Sequence, residues 1–200
     1  MSSTSDEFFF YHHSQNGDVD FEVFVEDFVS PHELAKGGIM IRDALTPGSA
    51  HFSLLVTAGG AFGSTLSKQW RTCDGCSTND DDTYSDDDYG FISPVEDLWL
   101  KVTKIGNTFQ AYYKFWFDGE WSPFGSAETM QFSSDYFHVG IAVTSGDNSK
   151  TAELLWRYNE PTEFGRNIGM VFSGLPGRVT PSATGGLIAK GSGSGVGKIN

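Results

Sequence analysis

Apolar and polar residues alternate with a period of two along most of the chain, which is typical of half-buried β-strands rather than helices. Because neighbouring side chains of a strand point to opposite faces, each such run predicts one buried and one polar face. The apolar positions of the clearest runs are Phe21, Val23 and Val25; Leu98, Leu100 and Val102; Phe109, Ala111, Tyr113, Phe115 and Phe117; Val139, Ile141 and Val143; and Ala152, Leu154 and Trp156.

Turn sequences separate these runs at the spacing of a β-sandwich, and they predict about ten strands joined by tight hairpins. The clearest turns are Asn16-Gly17-Asp18, Thr46-Pro47-Gly48, Gly59-Gly60, Ile105-Gly106-Asn107, Asp118-Gly119 and Ser145-Gly146-Asp147-Asn148. One helical turn is expected over 31–35, where Ser30 can cap it. We therefore predict an all-β sandwich of antiparallel sheets over residues 7–158.

Composition narrows the classes of function. The 200 residues are 38% hydrophobic and 14% aromatic, enough for one folded core. A net charge of −13 argues against a nucleic acid or an anionic membrane as the partner. No apolar run reaches 18 residues and the start lacks a signal-peptide pattern, so we expect no membrane insertion and leave the compartment open.

Residues 159–200 have a different composition from the rest of the chain. They are rich in Pro, Gly and Ser, which predicts a linker or arm that cannot fold alone. A few apolar residues within it, such as Phe164 and Phe172, favour partial packing against this domain or against a neighbouring subunit. A homo-oligomer built through 160–200 is therefore one hypothesis.

A series of short motifs, taken in order, resembles a known superfamily. In chain order, the motifs are Gly17-Asp18-Val19-Asp20-Phe21, Lys36–Asp43, Pro47–His51, Gln69-Trp70-Arg71, Trp99–Tyr113, Asp118–Trp121 and Val139–Ser145. Together they resemble the concanavalin A-like lectin/glucanase superfamily, in particular its "regulation of enolase" type of β-sandwich domain. The resemblance implies a jelly-roll of two curved sheets. It also implies a module appended to secreted, carbohydrate-active proteins, which favours an extracellular or cell-surface location, although most members of the family have no established activity.

One departure from the family concerns a structural ion. The closing strand of the family carries an aromatic-Asp-Asn run, but the matching stretch here, 152–157, reads Ala-Glu-Leu-Leu-Trp-Arg. In this superfamily an acidic residue near that point often helps to hold calcium. Its absence puts that calcium in doubt.

Four polar residues are the candidates for ligand binding. Arg42, His51, Gln69 and Arg71 have the opposite parity from their apolar neighbours, so they can line one polar face of a sheet. Ser53, Tyr112 and Trp116 would add hydroxyl and aromatic surface suited to sugar rings. The alternative is that Arg42 and Arg71 form ion pairs with neighbours such as Asp43 or Glu96 and bind nothing.

An acidic segment over 74–88 carries seven Asp and no Lys or Arg. Asp80, Asp82, Asp86 and Asp88 could gather a calcium ion, the one cofactor that the sequence suggests. The alternative is a hydrated loop, because the segment lacks the spacing of an EF-hand.

Cys73 and Cys76 have C-x-x-C spacing around the turn dipeptide Asp74-Gly75. A disulfide at a hairpin tip, or two free thiols, fits this context better than a redox or zinc site, which would need a helix start or further ligands.

Three carboxylates, Asp18, Asp20 and Glu22, are the candidates for catalysis, since retaining glucanases use alternating acidic residues of one strand. Two of them, Asp18 and Asp20, belong to the opening motif of the non-catalytic family. We therefore expect a non-catalytic module that binds a carbohydrate or a protein surface. Assembly through the arm and glycoside hydrolysis are the alternatives.

Overall fold

The computed structural model describes residues 4–29, 32–58, 65–81, 98–115, 119–147, 149–158 and 187–191. Within these ranges the chain forms twelve strands and no helix. The strands are β1 (Phe9–Asn16), β2 (Val19–Val29), β3 (Lys36–Arg42), β4 (His51–Thr57), β5 (Thr65–Arg71), β6 (Asn79–Asp81), β7 (Leu98–Ile105), β8 (Thr108–Phe115), β9 (Ser122–Thr129), β10 (Tyr136–Thr144), β11 (Ala152–Tyr158) and β12 (Leu187–Gly191).

The strands form two antiparallel sheets of six strands each. Sheet A has the order β1-β10-β3-β4-β5-β6, and sheet B has the order β12-β11-β2-β7-β8-β9. Some strands that follow one another in the chain pair as hairpins, such as β3 with β4 and β7 with β8, whereas others, such as β1 and β2, lie in different sheets. The predicted all-β sandwich is confirmed. The helical turn expected at 31–35 is only a hydrogen-bonded turn in its described part, closed by the Ala35 amide on the His32 carbonyl.

The core lies between the sheets and is built from the predicted alternation. Register places Val23 opposite Leu100 in sheet B and Phe52 opposite Ile41 in sheet A, and all four side chains are fully buried. Burial of this layer stabilises the fold by on the order of 25 cal/mol per Å² of apolar surface. In the run that begins at Phe109, the apolar side chains are buried as far as Tyr113, whereas Phe115 is exposed.

Part of the arm belongs to the sandwich. Leu187–Gly191 pairs with Ala152–Trp156 of β11, so this strand closes one edge of sheet B within the same chain. The other residues of the arm lie outside the described ranges. In those ranges no helix is long and apolar enough to span a bilayer.

Lys68 links sheet A to sheet B at one side of the sandwich. Its side chain is fully buried on the core side of β5, and its Nζ donates to the Ser126 carbonyl at 2.8 Å and to Glu128 Oε1 at 2.9 Å, both on β9. Asp81 of β6 lies 3.4 Å away. Because the ammonium is shared between two strands of different sheets, it holds the sandwich closed where no hairpin joins them.

Replacing Lys68 by Met tests this contact, since the apolar stem is kept and the charge is lost. We expect the free energy of unfolding to fall by about 1–3 kcal/mol, because a charge-assisted hydrogen-bond set disappears. Urea denaturation measures this change. The control is Lys150→Met, which removes an exposed pair with Asp147 and should cost less than about 0.5 kcal/mol. Equal losses in the two variants would contradict the role of Lys68.

Candidate ligand-binding site

The four predicted binding residues share one face of sheet A. Arg42 is registered opposite His51, and His51 is opposite Arg71 on the next strand. Gln69 pairs with Ser53 one row further along. All of these side chains point away from the core, onto the outer face of sheet A.

That face is closed rather than open. Arg42 and Arg71 are 1% and 0% exposed, and His51 and Gln69 are fully buried. The carboxylate at the centre is Asp6, which is 2% exposed. Arg71 donates to both Asp6 oxygens at 2.7 Å, and Arg42 Nη1 donates to Oδ2 at 2.7 Å. The segment before β1 therefore lies over this end of the face.

The remaining guanidinium donors bind backbone carbonyls of one loop. Arg42 Nε donates to the Ala44 carbonyl at 3.0 Å and Nη2 donates to the Pro47 carbonyl at 2.9 Å. Arg71 Nη1 reaches the Ser49 carbonyl at 3.1 Å. The two arginines therefore join the N-terminal segment, the 44–49 loop and the ends of β3 and β5 in one hydrogen-bonded cluster.

Apolar contacts hold the same segment further along. Phe8 and Phe10 pack with Met40 and Ala142 on the outer face of sheet A, and Leu45 of the loop covers them. The Arg42 guanidinium lies 5.2 Å from the centre of the Phe8 ring, a cation–π contact. We name residues 4–8, which carry Asp6 and Phe8, the N-terminal strap.

This arrangement corrects the prediction of an open sugar-binding face over Arg42, His51, Gln69 and Arg71. The arginines are paired, as the alternative supposed, but their partner is Asp6. Asp43 instead accepts a hydrogen bond from the Ser133 amide at 2.9 Å, and Glu96 lies outside the described residues.

The aromatic residues expected to extend that face do not do so. Ser53 lies on the outer face of sheet A, whereas Tyr112 is registered opposite Lys101 and lies on the outer face of sheet B. The two side chains are on opposite sides of the sandwich and cannot contact one small ligand. Trp116 falls outside the described residues.

His51 is an unusual buried group in this cluster. Its Nδ1 lies 3.8 Å from Asp6 Oδ2, which is beyond hydrogen-bond distance. Burial lowers the pKa of His51 to about 4, and the two guanidiniums add to this effect while the Asp6 charge opposes it. The ring is therefore neutral at pH 7. For Asp6, burial alone would raise the pKa, but the arginine hydrogen bonds and charges outweigh it and lower the pKa below the usual 3.8.

The acidic segment is described only in part. Asp80 is exposed on β6, and Asp82, Asp86 and Asp88 fall outside the described residues. Among the residues that are described, no three His, Cys, Asp or Glu side chains lie close enough to hold a metal ion. Calcium at this segment stays a prediction.

Cys73 and Cys76 are bonded to each other in the structure. Their loop sits against the loop that the arginines hold, because the Gly75 amide donates to the Gly48 carbonyl at 2.8 Å. The disulfide therefore borders the arginine cluster.

The three candidate catalytic carboxylates differ in their surroundings. Asp18 Oδ1 accepts a hydrogen bond from the Gly106 amide at 2.7 Å, so it caps the β7–β8 turn. Asp20 and Glu22 lie on the outer face of sheet B, opposite Thr103 and Lys101. Asp18 also lines a cavity.

That cavity is a cleft of about 500 Å³ at one end of the sandwich, where three connections meet. They are the β1–β2 turn, the β7–β8 turn and the β9–β10 connection. The lining residues are mostly polar: Asn16, Gly17, Asp18, Lys104, Gly106, Asn107, Gln131, Phe132, Ser134 and Asp135. We name this set the end cleft.

Two of the charged groups in the end cleft are fixed by their own contacts. Lys104 Nζ donates to the Gly17 carbonyl at 3.2 Å and lies 4.8 Å from the centre of the Phe137 ring. Asp18 is held by the Gly106 amide. The Asn107 carbonyl accepts a hydrogen bond from the Met130 amide at 2.9 Å, which ties two of the three connections together. The cleft walls are therefore positioned before any ligand arrives.

Comparison with known proteins assigns no family to this chain. No family model and no curated protein matches the chain. A solved structure described as a functionally unknown protein from Saccharomyces cerevisiae is similar at 16% identity with a TM-score of 0.48. The match covers 71% of this chain and 74% of that one. A similarity of this size carries no argument about function.

The first prediction from this site concerns Asp6. Replacing it by Ala leaves two buried guanidiniums without their counter-ion, and we expect a loss of about 3–5 kcal/mol in the free energy of unfolding. Chemical denaturation measures it. Glu7→Ala is the matched control, because its side chain is exposed and next in sequence. Similar stabilities of the two variants would show that Asp6 is not the anchor of the strap.

A second prediction concerns pH. His51 has a pKa of about 4 when folded and an ordinary value of 6.5. Between these values the unfolded chain binds the proton more readily, so stability falls as pH falls from 6.5 to 4. The loss should total about 3 kcal/mol. Denaturation at several pH values measures it.

The variant His51→Gln should flatten the stability profile in that window, because no group then titrates at this buried position. The exposed His13 provides the control, and His13→Gln should keep the slope of the unchanged protein. A slope that survives in His51→Gln would place its origin elsewhere.

Proposed function

We propose that this protein is a non-catalytic module that binds a neutral carbohydrate in the end cleft. The observation that carries the proposal is the cleft itself, a cavity of about 500 Å³ lined by amide, carboxylate and hydroxyl groups. Such a volume lies within the range of small-molecule sites. The lining groups are those that hydrogen-bond to sugar hydroxyls, since each hydroxyl is both a donor and an acceptor.

The charge of the cleft favours a neutral ligand. Asp18 and Asp135 bring two negative charges, and Lys104 brings one positive charge that already binds the Gly17 carbonyl. An anionic ligand would meet unfavourable electrostatics there, whereas a polyol can donate to the carboxylates and pair with the amides. The side chains of Asn107 and Gln131 supply donors and acceptors on two of the three walls.

Binding is better supported than hydrolysis. Asp18 and Asp135 are both exposed to water, whereas a carboxylic acid that donates a proton to a leaving group is usually set in apolar surroundings. Asp18 also has a structural task as the cap of the β7–β8 turn. We therefore expect the two carboxylates to accept hydrogen bonds from the sugar.

The resemblance to the concanavalin A-like lectin/glucanase superfamily supports the same proposal. The two-sheet sandwich is compatible with that superfamily, and membership is part of what we propose. Under it, the module would be attached to, or act beside, carbohydrate-active proteins outside the cell.

The test starts from an array of neutral oligosaccharides with gluco-, manno- and xylo-configured members, followed by calorimetry on the ligand that binds. Asn107→Ala and Gln131→Ala should each weaken binding by about tenfold, the loss of roughly one hydrogen bond in a partly enclosed site. Asn79→Ala, on exposed β6 away from the cleft, should bind like the unchanged protein. The proposal fails if no neutral sugar binds, or if both cleft variants keep full affinity.

A further inference from the structure

The outer face of sheet B carries aromatic and basic side chains side by side. Register places Trp99 opposite Lys114, and Lys101 opposite Tyr112. Trp121, immediately before β9, lies beside both lysines. We name these five residues the lysine–tryptophan platform. Apart from Trp99, which is buried, each of them is partly exposed to solvent.

Both ammonium groups converge on one indole ring. Lys101 Nζ lies 4.3 Å from the centre of the Trp121 ring, and Lys114 Nζ lies 4.7 Å from the same centre. Each is also near a second ring, Tyr112 at 5.2 Å and Trp99 at 5.1 Å. Aromatic faces attract cations, so these contacts hold two flexible side chains in fixed positions.

Neither lysine has a carboxylate partner within 4.0 Å among the described residues. Lys68 and Lys150 each lie within 4.0 Å of a carboxylate, and Arg157 pairs with Glu26. Glu22 is registered opposite Lys101, yet no ion pair forms between them. In the described part of the chain, both ammonium groups therefore keep N–H donors that no carboxylate occupies, although the net charge of the protein is −13.

Both ammonium groups lie next to the same ring, so an anion that binds beside them is attracted by both charges. A carboxylate is suitable because it accepts charge-assisted hydrogen bonds from ammonium groups. Trp121 and Tyr112, which are partly exposed, add apolar surface next to the charge. A ligand that combines one anionic group with a ring carrying C–H groups fits this surface.

We propose that the lysine–tryptophan platform is a second binding site, specific for a carboxylated sugar of the uronic-acid class within an oligosaccharide. The negative charge of the whole protein favours an oligouronate over a nucleic acid as the ligand. A duplex carries one charge per about 1.7 Å and would be repelled by the acidic remainder of the surface, whereas an oligouronate carries one charge per sugar ring.

The platform and the end cleft are independent sites. The platform lies on the outer face of sheet B and is cationic, whereas the cleft lies at one end of the sandwich and is lined by two carboxylates. The platform can therefore bind its ligand whether or not the cleft binds a neutral sugar, and substitutions at one site leave the other intact.

The test is calorimetric titration with a galacturonic acid trimer and with its methyl-esterified, uncharged form. The unchanged protein should bind the acid and prefer it to the ester by at least about tenfold, since the ester cannot pair with the ammonium groups. Lys101→Gln and Lys114→Gln should each weaken binding of the acid by about tenfold, and the double variant should abolish the preference over the ester.

Controls separate this result from general effects of charge and of folding. Lys150→Gln removes one positive charge elsewhere and should bind the acid normally, and thermal melting confirms that each variant is folded. Asn107→Ala, in the cleft, should also bind the acid normally. The inference is overturned if the unchanged protein binds acid and ester alike, if the double variant keeps its preference, or if a short DNA duplex binds the platform more tightly than the uronate.

Discussion

The contact of Asp6 with Arg42 and Arg71 is the interaction on which the rest of the molecule depends. Two cations and one anion are buried together, and removing them from water is costly. Three short hydrogen bonds to the carboxylate and several to loop carbonyls offset that cost. Because the donors come from β3 and β5 and the acceptors from the strap and the 44–49 loop, four separate pieces of chain are fixed by one cluster. The disulfide loop in turn rests on the same loop through the Gly48 carbonyl.

This cluster also decides where a ligand can bind. The strap closes one outer face of the sandwich with its own carboxylate, so the arginines serve the fold and are unavailable to an external partner. The surfaces that we propose for recognition are the polar end cleft and the cationic platform of Lys101 and Lys114. They differ in charge, and a single module with both could hold a polysaccharide that contains neutral and acidic sugars.

The sequence was informative where a structural feature depends on alternation alone. Val139, Ile141 and Val143 were expected on one buried face, and they are fully buried in the core. Alternation also predicts the face of the sheet on which Arg42 lies, but it does not predict which segment covers that face. The covering residue, Asp6, is 36 residues from Arg42 and 65 residues from Arg71 in the chain. Parity likewise cannot assign Tyr112 to a sheet, which is why it was grouped with residues on the opposite side of the sandwich. The cleft was not predicted, because only two of its three connections, at 16–18 and 105–107, have turn sequences, and the order of the strands decides that all three meet.

We propose that ligands bind this sandwich at its end and on sheet B, while the Asp6-bound face of sheet A stays closed. Mapping amide chemical-shift changes by NMR during titration with an oligosaccharide distinguishes these three surfaces. We expect shifts around Asn107 and Gln131 for a neutral sugar and around Lys101 and Lys114 for a uronate, with the amides of Asp6, Arg42 and Arg71 unmoved. Shifts concentrated at Asp6, Arg42 and Arg71 would contradict it.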